Sequence, residues 1–207
     1  MQKNFFSFLG LSRKLNIDMA DLEQRYRALS RQFHPDYFHN APPAARRASL
    51  ERSSYLNDAY RTLKNPASRI EYLLKLEAHS GADLTAEAEA SANGARRAPS
   101  SATPPPALLE EVFALNEELD GIREEREGGA PEQAWRARLH DARAPIERKR
   151  AEHEAALENL SARWDALIDA SAGEPERRRV LKELEERFLE RNYITNLLAG
   201  IERELAT

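Results

Sequence analysis

His34-Pro35-Asp36 is the tripeptide in this 207-residue chain that could carry chemistry. An imidazole beside a carboxylate can act as a general base, as a metal ligand or as a recognition element for a partner. The first two roles need companions. His39, His79, His140 and His153 show no ligand spacing with His34 or with one another. No Ser/His/Asp set, glycine-rich phosphate loop or paired-carboxylate motif can be assigned. With no cysteines, disulfides, thiolate metal sites, cysteine nucleophiles and direct cysteine ligation of an iron–sulfur cluster are ruled out. No catalytic residue, metal ligand or cofactor is therefore assigned, and independent enzyme activity is not expected.

The tripeptide also makes a good loop, since Pro fixes φ and Asp bonds nearby backbone. Its setting decides between the two readings. Before it, Asp18 is placed to cap a helix of about 15 residues carrying Leu22, Tyr26, Leu29 and Phe33 on one face. Arg25, Arg27 and Arg31 lie off that face, and Pro35 ends the helix. After a loop to about Ala41, a second long helix starts near Pro42-Pro43 and runs to about Lys64. It includes Leu56-Asn57-Asp58-Ala59-Tyr60-Arg61-Thr62-Leu63. Asn65-Pro66 breaks it, and a last helix carries Ile70, Tyr72, Leu73, Leu74 and Leu76.

Composition agrees with an all-α protein. Charged residues make up 32% of the chain and apolar residues 41%, with Ala, Glu, Leu and Arg dominant. The 31 basic and 35 acidic residues leave a net charge of −4, which argues against nucleic acid as a partner. No apolar run approaches the roughly 18 residues of a membrane span. The N-terminus lacks signal-peptide and transit-peptide features, so a cytoplasmic location is expected.

Residues 80–106, ending in Pro104-Pro105-Pro106, are low in complexity and read as a flexible Ala/Pro/Ser-rich linker between domains at 1–79 and 107–207. The second domain divides into three segments. One spans roughly 107–127 and ends at Gly128-Gly129. One spans Pro131 to about Ala172, where Pro145 should kink or split the helix. The last spans Pro175 to about Leu205. Short turns between long helices imply a three-helix bundle.

The N-terminal pattern resembles a J-domain: an aromatic start, a basic helix, His-Pro-Asp, then a helix ending Ala-Tyr-x-x-Leu and a Pro/Arg-containing close. The resemblance covers residues 1 to about 76. It implies that the chain binds a DnaK-like ATP-driven chaperone and stimulates its ATP hydrolysis. In that case His34, Pro35 and Asp36 would contact the ATPase and trigger hydrolysis. Tyr26, Arg27 and Arg31 would supply the docking face.

The attached domain narrows the resemblance to the HscB type, the J-domain co-chaperones of iron–sulfur cluster assembly. The residues carrying it are Asn4-Phe5-Phe6-Ser7-Phe8-Leu9-Gly10-Leu11, Asn65-Pro66-Ala67-Ser68-Arg69-Ile70-Glu71-Tyr72-Leu73-Leu74 and Leu115-Asn116-Glu117-Glu118-Leu119-Asp120. Lack of a cysteine-based zinc module suggests a bacterial-type member. The resemblance implies two partners, an IscU-type scaffold on which clusters are built and a dedicated HscA-like chaperone. The linker is longer than the family's usual connection.

On a helical wheel Leu108, Val112, Leu115, Leu119 and Ile122 form the bundle's core stripe. Leu109 and Phe113 lie roughly 100–140° from its centre, beside Glu110 and Glu117. Either they form an exposed ridge or the third helix covers them. The resemblance favours the ridge, because the family's scaffold-binding surface includes this helix. Leu109, Glu110, Phe113, Ala114 and Glu117 match that surface, with Phe188 a further position on the last helix. Glu110 and Ala114 depart from the family's residue types, which are a larger apolar side chain and an acid. A J-protein with a different client, its bundle an adaptor or dimerisation module, is the alternative.

Overall fold

The computed structural model describes residues 4–78 and 106–206. Among these, every regular element is helical: α1 (Phe5–Phe8), α2 (Met19–Phe33), a 3-10 turn (Pro35–Phe38), α3 (Pro43–Lys64), α4 (Pro66–Ala78), α5 (Pro106–Glu127), α6 (Glu132–Asp169) and α7 (Glu174–Leu205). No helix of the described residues is long and apolar enough to cross a membrane. The expected linker at 80–106 lies outside the described residues, except that Pro106 opens α5.

Local chemistry sets the N-terminal helix limits. The Asp18 carboxylate accepts hydrogen bonds from the Ala20 amide (2.8 Å) and the Asp21 amide (3.4 Å), capping α2. Before Pro35, His34 is extended (ψ 128°), because proline disfavours the helical region at the preceding residue. Asn65-Pro66 acts twice. It stops α3, and the Asn65 side chain accepts from the Ser68 amide (3.0 Å) in the first turn of α4.

The described residues divide into two compact units. The first contains residues up to 78 together with 160–184, and the second contains 106–159 and 185–206. The units therefore do not part at the linker alone, because the tip of the α6–α7 hairpin belongs with the N-terminal helices. The cause is the segment between α1 and α2. The fully buried Trp164 donates its indole N–H to the Arg13 carbonyl (2.7 Å). Asp165 accepts from the Leu15 amide (2.6 Å) and the Asn16 amide (2.8 Å), and Lys14 pairs with Asp169 (2.6 Å). The first three of these bonds satisfy backbone groups of the α1–α2 segment.

The core of the first unit includes Phe6, Leu9, Leu15, Leu22, Leu56, Ala59, Leu63, Ile70 and Leu73, with Leu160, Trp164, Val180 and Leu184 from the hairpin. Phe5 stacks on Tyr72 at 4.4 Å, and its amide donates to the Tyr72 hydroxyl (2.9 Å). Burial, reinforced by the neighbouring Tyr72 phenol, pushes the Tyr55 phenol up to about 12.

In the second unit Leu115, Leu119 and Ile122 of α5 meet Trp135 and Leu139 of α6 and Ile201 of α7. Val112 packs at the edge of Ile194 and Leu198. Gly129 takes the left-handed conformation (φ +81°) and closes α5, as its position predicts. Pro145 does not split α6, which continues through it from Glu132 to Asp169. The ring removes one backbone donor, but neighbouring Ala142 and Ile146 pack against the bundle core and hold the helix together.

Candidate functional site

The His-Pro-Asp turn is built by its neighbours. Phe33 ends α2, and its carbonyl accepts hydrogen bonds from the hydroxyls of Ser49 (2.8 Å) and Ser53 (2.7 Å), one turn apart on α3. The Arg52 guanidinium lies 5.7 Å from the Phe33 ring centroid. Together they anchor the point from which His34-Pro35-Asp36 departs. Sequence reasoning did not single out Ser49 or Ser53. Two serines at i and i+4 on the helix after the loop were the available signal.

Within the turn, His34 Nδ1 accepts from the Asp36 amide (3.3 Å) and lies 3.4 Å from the Asp36 carboxylate. With Nδ1 accepting, the neutral imidazole carries its proton on Nε2. The Tyr37 amide donates to the His34 carbonyl (3.1 Å), closing the 3-10 turn. The Asp36 side chain is 87% exposed. Among the described residues no set of three or more His, Cys, Asp or Glu side chains is gathered to hold a metal ion. The turn is a small, fixed polar projection, suited to recognition.

The three expected docking residues on α2 differ in what holds them. Tyr26 is partly buried, stacked on Tyr60 at 4.2 Å, and its hydroxyl donates to Asn57 (2.9 Å). It ties α2 to α3 and offers only part of its ring to a partner. Arg27 is exposed but paired with Glu23 at 2.6 Å. Arg31, in the last turn before the tripeptide, is exposed and has no ion-pair partner among the described residues. A shallow groove of about 420 Å³ lined by Ala20, Glu23, Gln24, Arg27, Ala28 and Arg31 runs along this face.

In the second unit, α5 presents Glu110, Phe113, Ala114 and Glu117 as exposed residues, with Leu109 partly buried beside them. Phe113 is 66% exposed, so the third helix does not cover it. Phe188 does not join this surface. It is only 8% exposed, on the buried stripe Val180, Leu184, Phe188, Ile194, Leu198 and Ile201 of α7. Steps of four residues advance a helical stripe by about 40° each, so the buried face drifts along a 32-residue helix. Judged against Ile194–Leu205 alone, Phe188 looks off-stripe. Judged against Val180 and Leu184, it is core.

The DnaJ domain family matches residues 4–72. Two solved structures are similar over almost the whole chain. Chaperone HscB from Vibrio cholerae is 22% identical, covering 99% of this chain and 98% of that one, with a TM-score of 0.57. The human co-chaperone protein HscB is also 22% identical, covering 98% of this chain and 82% of that one, with a TM-score of 0.60. The fold is thus the one sequence led to: all-α, with an N-terminal J-domain and a helical C-terminal region.

Proposed function

We propose that this chain, with its DnaJ domain over residues 4–72, is an HscB-type co-chaperone of iron–sulfur cluster assembly. Its J-domain engages an HscA- or DnaK-like chaperone and raises that partner's ATP hydrolysis. Its α5 surface binds an IscU-type scaffold protein. The observation that carries the proposal is the His34-Pro35-Asp36 turn, exposed after a basic helix and anchored by Ser49 and Ser53. The chain itself performs no bond chemistry and holds no cofactor; the ATP is the chaperone's.

Physical reasoning supports a division of labour. Arg31 and, to a lesser degree, Arg27 attract an acidic patch on the ATPase, an interaction that governs encounter and weakens with salt. The rigid turn then presents His34 and Asp36. On α5, Phe113 and Leu109 are apolar groups rimmed by Glu110 and Glu117, which fits a folded partner with an apolar spot and a basic rim. Carrying both surfaces on one chain raises the effective concentration of client at chaperone.

Steady-state ATP hydrolysis by the chaperone tests this reading. The wild-type chain should stimulate it, and His34→Gln, which removes an exposed side chain from the turn, should not. Stimulation retained by His34→Gln contradicts the proposal.

A further inference from the structure

The chain has six tyrosines, and five of them, Tyr26, Tyr55, Tyr60, Tyr72 and Tyr193, are partly buried against neighbours. Tyr37 is the exception, 75% exposed. It directly follows Asp36 in the 3-10 turn, and its ring stands edge-on to the His34 imidazole, centroids 6.1 Å apart. Its hydroxyl has no hydrogen-bond partner among the described residues, whereas Tyr26 donates to Asn57 and Tyr72 accepts from Phe5. The next residue, Phe38, is partly buried. The turn thus divides two adjacent aromatics between packing and solvent.

Resting on the co-chaperone reading, we propose that Tyr37 is a further chaperone-contacting residue, an affinity anchor beside the His-Pro-Asp triplet. Apart from its edge contact with His34, the Tyr37 ring is turned to solvent. Tyrosine offers a partner a large rigid face and a hydroxyl at low conformational cost, the combination that recurs in interface anchors. Its position adds a largely exposed ring to a site whose other aromatic, Tyr26, is mostly spent on packing against Tyr60. The partner surface it fits is an apolar shelf with a hydrogen-bond acceptor at its edge, next to the acidic patch that receives Arg31. Because Asp36 and His34 are left in place, Tyr37 governs how tightly the J-domain docks and not how fast hydrolysis runs once docked.

The test is a dose–response of chaperone ATPase rate against the full chain, wild type, Tyr37→Ala, Tyr37→Phe and His34→Gln. Tyr37→Ala should raise the half-maximal concentration about tenfold or more with the saturating rate unchanged. Tyr37→Phe should fall between it and the wild type. Circular dichroism melts of the Tyr37 variants should match the wild type. A Tyr37→Ala curve that superimposes on the wild type overturns the inference while leaving the co-chaperone reading intact. A lowered saturating rate at unchanged half-maximal concentration also overturns it. If the wild-type chain gives no stimulation, both the reading and the inference fall.

Discussion

Arg69 and Asp165 hold the same residue from its two sides. Arg69 on α4 donates to the Leu15 carbonyl, and Asp165 on α6 accepts from the Leu15 amide at 2.6 Å. Arg69 also donates to the Leu63 carbonyl (2.7 Å). Burial pulls the Arg69 guanidinium below its usual range, and the Asp165 charge works against that pull. A buried guanidinium, a buried carboxylate and one backbone residue form a clamp inside the first unit.

Breaking the clamp should be costly because the buried Leu15 and Asn16 amides would lose the carboxylate that accepts from them. Asp165→Ala should destabilise the chain by about 2–3 kcal/mol, as leaving buried amide donors without their acceptor does. Asp165→Asn, which keeps an acceptor for one of the two amides, should cost less. Urea unfolding followed by tryptophan fluorescence measures both, since Trp164 is beside Asp165 and bonded to Arg13. An Asp165→Ala chain as stable as the wild type would show the clamp to be energetically idle.

His153 should make stability depend on pH. It is buried on α6, and its Nδ1 lies 3.2 Å from Glu190 of α7. Burial lowers its pKa below 6.5. The Glu190 charge counters this, Arg187 and Lys149 reinforce it, and Glu152 opposes it. The folded state therefore binds the proton less readily than the unfolded chain. The stability this neutral His153 provides is present above 6.5 and is lost as pH falls below it. Denaturant midpoints between about pH 7 and 5 should fall for the wild type and fall less for His153→Gln. Parallel curves would contradict the assignment.

Arg31 and Arg27 should not weigh equally. Arg27 already shares its charge with Glu23, whereas Arg31 stands without an ion-pair partner among the described residues. Arg31→Glu should raise the half-maximal concentration for ATPase stimulation about tenfold at low salt, more than Arg27→Glu does, with the difference shrinking as salt is added. Neither should change the stability by more than the ~0.5 kcal/mol typical of surface changes. Equal effects, or an effect insensitive to salt, would argue against a steering role.

Much of the fold was written locally. Asp18, Pro35, Pro43 and Asn65-Pro66 punctuate the N-terminal helices where cap chemistry and proline geometry demand. The three helices of the C-terminal region start and stop near the expected residues. Three features were not legible because their causes are tertiary. Pro145 sits inside a helix that packing keeps whole. Residues 160–184 join the first unit through bonds to the Arg13, Leu15 and Asn16 backbone, which no periodicity encodes. Phe188 is buried on a stripe that drifts along α7. Of the candidate site, the exposed turn, Arg31 and Phe113 were visible from the sequence, whereas the supports Ser49 and Ser53 were not.

The proposed function has one chain couple an iron–sulfur scaffold to an ATP-driven chaperone. The direct measurement is the chaperone's ATPase rate with this chain, with an IscU-type scaffold, and with both, repeated with the Leu109→Ala/Phe113→Ala double variant. Chain and scaffold together should exceed the sum of their separate effects. The double variant should lose this synergy, keep its own stimulation and bind the scaffold about 1–3 kcal/mol more weakly. A rate that is the same with and without scaffold would contradict the scaffold-coupling role.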